Sequence, residues 1–272
     1  MGMHAAKKIA VAGATGRLGR HIVDRLERDG HDVVAMSRSQ GVDLVTGDGL
    51  DAALEGVEVV IDAATGSSPD EQEARSYFTA ATRNLQQASD RAGVERIVVI
   101  SIVGCDRFSG GGSYGGYYVA KVAQERAMLA GPVPVQIVRA TQFHDFVGQL
   151  VDWGRQGDVS YVPRIRTQLI AARALAEVVV DLATGRRAAE PMVEVAGPRV
   201  ENLGGKPARG APRQPGAGRS RERPCRPQPR ALRDRRAPAG PGRDRHRPDV
   251  RAVAQGPRPE HNRGLRVDGR RR

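Results

Sequence analysis

Tyr117 and Lys121 stand four residues apart in the run Tyr117-Tyr118-Val119-Ala120-Lys121. On a helix that spacing puts both on one face. An ammonium beside a phenol favours the phenolate and brings tyrosine toward the range where it exchanges protons. Ser101 closes an apolar run just upstream, where its hydroxyl can hold a substrate carbonyl. A second group is Gly13-Ala14-Thr15-Gly16-Arg17-Leu18-Gly19, directly after the apolar run Lys8–Ala12. Glycine at 13 permits a tight turn, at 16 it lets the backbone approach a pyrophosphate, and at 19 it allows close helix–sheet packing. A helix opening here turns its amides and the positive end of its dipole toward phosphates. In a strand–turn–helix context, such glycines are a dinucleotide-binding fingerprint.

The cofactor's identity is read further along. Roughly 20 residues on, an NAD site carries an acid for the adenosine ribose. Here the next apolar run ends Met36-Ser37-Arg38. A serine and a guanidinium suit a 2′-phosphate, so NADP is expected over NAD. The alternative is that Arg38 is an exposed residue of a polar turn. Asp48 is expected near the adenine, and Ala63, Ala64 and Thr65 are expected to wall the ribose and nicotinamide side.

Strand and helix patterns alternate through the first 200 residues at the spacing of βαβ units. After the Lys8–Ala12 strand, Leu18, Ile22 and Leu26 line a helix face that stops at Gly30. Residues 33–36, 42–45 and 57–61 read as further strands. Ser68-Pro69 is a helix opening, followed by an apolar stripe of Ala74, Phe78, Ala81, Leu85 and Ala88 that stops at Gly93. Residues 96–101 read as a fifth strand, 117–129 as a helix and 135–139 as a sixth strand. The second half of 169–184 is helical, and 192–196 is a last strand. The expected fold is α/β, a doubly wound Rossmann-type parallel sheet with a small C-terminal substrate lobe.

Charge divides the chain at about residue 200. Residues 1–200 carry 22 Lys+Arg against 24 Asp+Glu, a net −2, while residues 201–272 carry 21 against 7, a net +14. The body is therefore not a basic nucleic-acid-binding domain. All ten aromatics lie at or before Tyr161, and 11 of the 17 prolines lie after residue 200. Such a tail cannot bury enough apolar area to offset chain entropy, so 204–272 is expected to be disordered. Without aromatics for stacking, it is not expected to bind nucleic acid specifically. Two cysteines, Cys105 and Cys225, exclude a disulfide framework, and His144 has no companion ligands, so no metal is expected. No apolar run approaches the roughly 20 residues of a membrane span. A cytoplasmic protein acting on a small molecule is expected.

The glycine pattern, Ser101-Ile102-Val103-Gly104, the Tyr-Tyr-Val-Ala-Lys run and Arg139-Ala140-Thr141-Gln142-Phe143-His144 together resemble the atypical short-chain dehydrogenase/reductase superfamily. The nearest subgroup is the bacterial NAD(P)H-binding, NmrA-like proteins, and the resemblance covers about residues 7–203. It implies that Ser101, Tyr117 and Lys121 match the catalytic serine, tyrosine and lysine, with Lys121 also holding the nicotinamide ribose. It implies that Gln142, Phe143 and His144 border the substrate cleft. Phe78 stands where many extended relatives carry an asparagine, with Asn84 one helical face away. The implied activity is NAD(P)H-dependent reduction or oxidation of a small carbonyl or enone. Some members of the subgroup bind the nucleotide without turnover, so an NADP(H)-sensing regulator is the alternative. Relatives continue after Ala196-Gly197-Pro198 with helices that close the substrate lobe. Back-translated with GC-rich codons and read one base later, residues 230–255 can encode a segment resembling that usual C-terminus. A frameshifted tail is therefore expected from just after Leu203.

Overall fold

The computed structural model describes residues 5–66, 68, 70–107, 115–153, 155–156, 159–160, 165–188, 190–203 and 219–220. Its centre is a six-stranded, wholly parallel sheet. In chain order the elements are β1 (Lys8–Ala12), α1 (Gly19–Arg28), β2 (Asp32–Met36), α2 (Leu50–Ala53), β3 (Val59–Asp62), α3 (Glu71–Arg91), β4 (Arg96–Ile102), α4 (Gly115–Leu129) and β5 (Val135–Ala140). Then follow α5 (Phe146–Trp153), β6 (Arg155–Gln156), β7 (Val159–Ser160), β8 (Ile165–Thr167), α6 (Ala172–Ala183), β9 (Met192–Val195), β10 (Glu201–Leu203) and β11 (Arg219–Ser220). The sheet order is β2-β1-β3-β4-β5-β9. This is the expected doubly wound α/β fold.

The pleat decides which residues enter which core. Successive strand side chains point to opposite faces, and both faces here are covered. Ile9, Val11, Val59, Ile61, Val98 and Val138 pack with Leu18, Ile22 and Leu26 of α1 and Leu175, Val179 and Val180 of α6. Their neighbours Ala10, Ala12, Val60, Ile97, Val99 and Ile137 pack on the other side with Ala81, Leu85 and Ala88 of α3 and Met128 of α4. Burial on both faces explains why these strands read as continuous apolar runs rather than alternating ones.

Two local expectations are corrected. Residues 42–45 are not a strand but a turn: the Asp43 carboxylate accepts from the amides of Val45 (2.7 Å) and Thr46 (3.3 Å), while Val42 and Leu44 reach the core. An Asp side chain bonded to its own backbone competes with strand pairing. The helix after β3 does not open at Ser68-Pro69. Asp70 caps it, accepting from the amides of Gln72 (2.9 Å) and Glu73 (3.0 Å), and Ser68 Oγ accepts from the Asp70 amide. Two acids in the first turn, Glu71 and Glu73, favour that start. Among the described residues no helix is long and apolar enough to cross a membrane. The tail expected to be disordered, 204–272, lies outside the described residues except Arg219–Ser220, which pairs with β7.

Candidate active site

Because all six strands are parallel, their C-terminal ends share one edge, and the chain reverses its winding between β2 and β3 on either side of β1. In open α/β sheets that switch point is where ligands bind. Gly13 follows β1, Ser37 follows β2, Ala63 follows β3, Ser101 sits near the end of β4 and Thr141 follows β5. Apart from those on helix α4, the candidate residues thus gather on one edge.

The glycines divide by what demands them. At Gly13 (φ +73°), an added Cβ would lie 2.8 Å from Ala64 Cα, and at Gly19 it would lie 2.0 Å from the Gly13 carbonyl oxygen. Both are required by the packing of turn, helix and β3. Gly16 is exposed, and a Cβ there would meet only the Gly13 oxygen at 3.0 Å. The amides of Gly13 and Ala14 donate to Met36 O and that of Gly16 to Gly13 O, which fixes the loop. Thr15, Gly16 and Arg17 remain at the surface while Leu18 is buried. A rigid glycine turn with an exposed apex fits a dinucleotide pyrophosphate.

Arg38 opens an exposed 3₁₀ turn, Arg38–Gln40, in which Ser37 Oγ contacts Ser39 Oγ (2.9 Å) and Gln40 Oε1 (3.0 Å). Asp48 is exposed and accepts from Thr46 Oγ1 at 2.7 Å. Asn84 holds the same loop, donating to the carbonyls of Leu44 and Val45. It is a strut.

Tyr117 and Lys121 share a face of α4 as the spacing requires, but they do not share a hydrogen bond. The Tyr117 hydroxyl lies 2.6 Å from Thr65 Oγ1 at the end of β3. Against the expectation that an adjacent ammonium would favour the phenolate, burial raises its phenol above the ordinary value, opposed only by the hydrogen bond shared with Thr65. Lys121 is buried; its Nζ donates to Ile100 O at 2.7 Å and to Gln124 Oε1, and lies 4.6 Å above the Phe78 ring. Phe78 also meets Tyr117 edge to face, with centroids 5.7 Å apart. A phenylalanine at this position thus packs both groups together.

Ser101 is buried, with Oγ 3.8 Å from Cys105 Sγ. Cys105 in turn donates to Glu125 Oε1 at 3.5 Å, and Glu125 receives two bonds from Arg139, at 2.9 and 2.7 Å. This buried pair, extended by Asp106 at 3.1 Å from Arg139, locks α4 onto β5. Gln142 Nε2 donates to the Tyr118 hydroxyl at 2.8 Å, beside the candidate centre. Phe143 bridges to Ile170 and packs against the α1–α6 core, while His144 is exposed.

Sequence reading missed Asp62, Gln124, Glu125 and the role of Tyr118. A lone acid in the buried strand Val59–Asp62 was the available signal, as was a Gln three residues after Lys121.

A model of the family described as NAD(P)H-binding matches residues 13–185. The chain belongs to this family. That agrees with the resemblance to atypical short-chain dehydrogenase/reductases carried by its motifs. A curated relative, the photosystem II assembly factor Ycf39 of Synechocystis sp., is 34% identical over 110 residues, which cover 35% of this chain and 34% of that protein. The match thus spans about a third of the relative's length. Among solved structures, MoeE5 in complex with UDP-glucose and NAD is 23% identical, with a TM-score of 0.57 over 72% of this chain and 78% of that one. WbmH of Bordetella bronchiseptica in complex with NAD+ is 16% identical, with a TM-score of 0.58 over 80% and 86%. A dTDP-4-dehydrorhamnose reductase of Bacillus anthracis in complex with NADP is 16% identical, with a TM-score of 0.57 over 74% and 78%. At these identities the likeness is one of fold alone.

Proposed function

We propose that the protein is a cytoplasmic NADP(H)-dependent oxidoreductase acting on a small carbonyl or enone. The observation that carries the proposal is the reach of Tyr117 to Thr65, one residue beyond the Ala64 wall against which Gly13 of the glycine turn packs. Proton chemistry and nucleotide cradle thereby meet at one strand end.

Gly13, Thr15, Gly16, Arg17, Leu18 and Gly19 would hold the pyrophosphate, Ser37 and Arg38 the 2′-phosphate, and Asp48 the adenine side. When bound, the nicotinamide supplies or accepts a hydride. Tyr117, its phenol raised by burial and so protonated near neutrality, would give its proton to a substrate oxygen. Thr65 would hold that hydroxyl in line, Ser101 would orient the substrate carbonyl, and Lys121 would meet the nicotinamide ribose. Gln142, Phe143 and His144 would border the substrate.

One observation favours a second reading, an NADP(H)-sensing regulator of the NmrA-like type. Ser101 and Lys121 have interior partners, Cys105 and Gln124, rather than Tyr117. A screen of aldehydes, ketones and enones, followed by NADPH absorbance, separates the two. NADPH consumption that requires Tyr117 supports the enzyme. Tight NADPH binding with no consumption on any compound supports the regulator.

A further inference from the structure

Lys121 presents an electrostatic problem that its nearest neighbours do not solve. Its side chain is buried, and an ammonium taken out of water costs several kcal/mol unless a charge compensates it. Yet the groups that touch Nζ are the Ile100 carbonyl, the Gln124 amide oxygen and the Phe78 ring, all neutral. Two buried carboxylates are near enough to act on it, Glu125 from α4 and Asp62 from β3, together with the Cys105 thiol. Glu125 is already committed, since both its oxygens receive bonds from Arg139. Asp62 is 3% exposed, and among the described residues its side chain receives bonds only from uncharged donors.

Gln124 joins the two. Its amide oxygen accepts from Lys121, while its Nε2 donates to Asp62 Oδ2 at 3.1 Å. A side-chain amide used from both ends is polarised in one direction, strengthening each bond. Asp62 Oδ1 accepts in addition from the amide of Ala64 at 3.0 Å, in the wall behind the glycine turn.

We infer that Asp62 is a positioning residue: acting through Gln124, it is the counter-ion that keeps the buried Lys121 protonated over the Phe78 ring and ties it to the Ala64 wall. The importance of that charge for catalysis rests on the oxidoreductase reading; the pairing itself does not. Burial works against both charges, and each group is the first to oppose it for the other: burial lowers Lys121 to about 8 and raises Asp62. The other ionisable groups facing Asp62 are Tyr77 from α3 and Tyr117 from α4, both phenols.

The sequence offers a direct test, because it contains only four lysines, Lys7, Lys8, Lys121 and Lys206. In the full chain labelled at lysine Cε and Nζ, the Lys121 resonance is assigned by its loss in Lys121→Met and followed with pH by NMR, without cofactor. The expected midpoint is about 8. In Asp62→Asn it should fall, with proton affinity reduced about tenfold or more. Asp62→Asn with Gln124→Glu, which returns a carboxylate to direct contact, should restore it. Gln124→Met breaks the link with Asp62 left in place and should also lower the midpoint; it serves if Asp62→Asn does not fold. An unchanged midpoint in Asp62→Asn, or in Gln124→Met where that is the folded variant, overturns the inference. NADPH binding measured separately reports on the cofactor reading. Failure to bind NADPH with the Lys121 shift intact would sink that reading and leave the Asp62 pairing standing.

Discussion

The hydroxyls of Tyr117 and Thr65 lie 2.6 Å apart, although 52 residues of sequence separate them. The contact brings α4 to the end of β3, and it defines what each substitution should do. Tyr117→Phe keeps the ring against Phe78 and removes only the hydroxyl. Turnover should fall by a factor on the order of 10²–10⁴, the contribution of a positioned acid–base group. NADPH affinity, read by fluorescence titration, should barely change. Turnover equal to wild type on every compound consumed would reject Tyr117 as the proton donor.

Tyr118→Phe is a sharper control than its position on the helix implies, since it leaves Gln142 Nε2 without its acceptor. Cofactor affinity and the limiting rate should hold while KM changes. A collapse of kcat with KM unchanged would instead make Tyr118 the reacting phenol.

Arg38→Ala tests the choice of cofactor. A charged hydrogen bond to a 2′-phosphate is worth about 1.5–3 kcal/mol, so NADPH should bind roughly 10- to 100-fold more weakly. NADH should bind as before. Equal losses for the two would assign Arg38 to the shared part of the nucleotide or to the turn alone.

Gly13→Ala and Gly30→Ala separate strain from collision. Both positions have positive φ, +73° and +81°, but only at Gly13 does a Cβ meet backbone, 2.8 Å from Ala64 Cα. Gly30→Ala should cost about 1 kcal/mol in denaturant melts, the price of the left-handed backbone. Gly13→Ala should cost more and also abolish NADPH binding, because the turn must move. Similar stabilities for the two variants would show that the cradle yields.

The Glu125–Arg139 pair gives a pH dependence. Burial opposes ionisation of Glu125 and is the largest single effect, but the hydrogen bonds from Arg139, Ser101 and Cys105 together with the Arg139 charge outweigh it, so the folded value lies below the ordinary 4.5. A depressed carboxyl stabilises the fold above its unfolded value and loses that contribution as the pH drops through the folded one. Glu125→Gln leaves the buried guanidinium with only the half-exposed Asp106 and Glu194 as charged partners, so at pH 7 it should be about 1–3 kcal/mol less stable. The gap from wild type should narrow on acidification below about pH 4.5 in thermal melts across that range. A gap that stays constant with pH would mean that the ion pair contributes nothing to acid stability.

The sheet was legible because every central strand is buried on both faces and therefore spelled as an apolar run. Residues 42–45 misled for the same reason: Val42 and Leu44 are spaced as in a strand and do reach the core, but Asp43 bends the chain onto itself. At the site, the spacing of Tyr117 and Lys121 gave the shared helix face. It did not give the direction of each polar tip. Thr65, Gln124 and Cys105 decide that, and they come from the segment after β3, from α4 itself and from the turn after β4. Thr65, 52 residues from Tyr117, leaves no local pattern, whereas Gln124 and Cys105 lie only three and four residues from Lys121 and Ser101 and were open to a spacing argument.

The strand order has a further consequence for how the chain is made. β2 joins β1 on one side and β3 joins it on the other; after that, β4, β5 and β9 are each added to the same growing edge. No strand must be threaded between two already paired. Translation, at about 5–20 residues per second, delivers the glycine turn and its three strands before α4 has been synthesised. It then spends about 50 residues between β5 and β9. During those seconds β5 is an open edge of buried-type side chains, with its hydrogen-bonding groups unpaired on one side. A nascent chain is most exposed to aggregation in that interval, and it is there that a ribosome-associated chaperone would matter most.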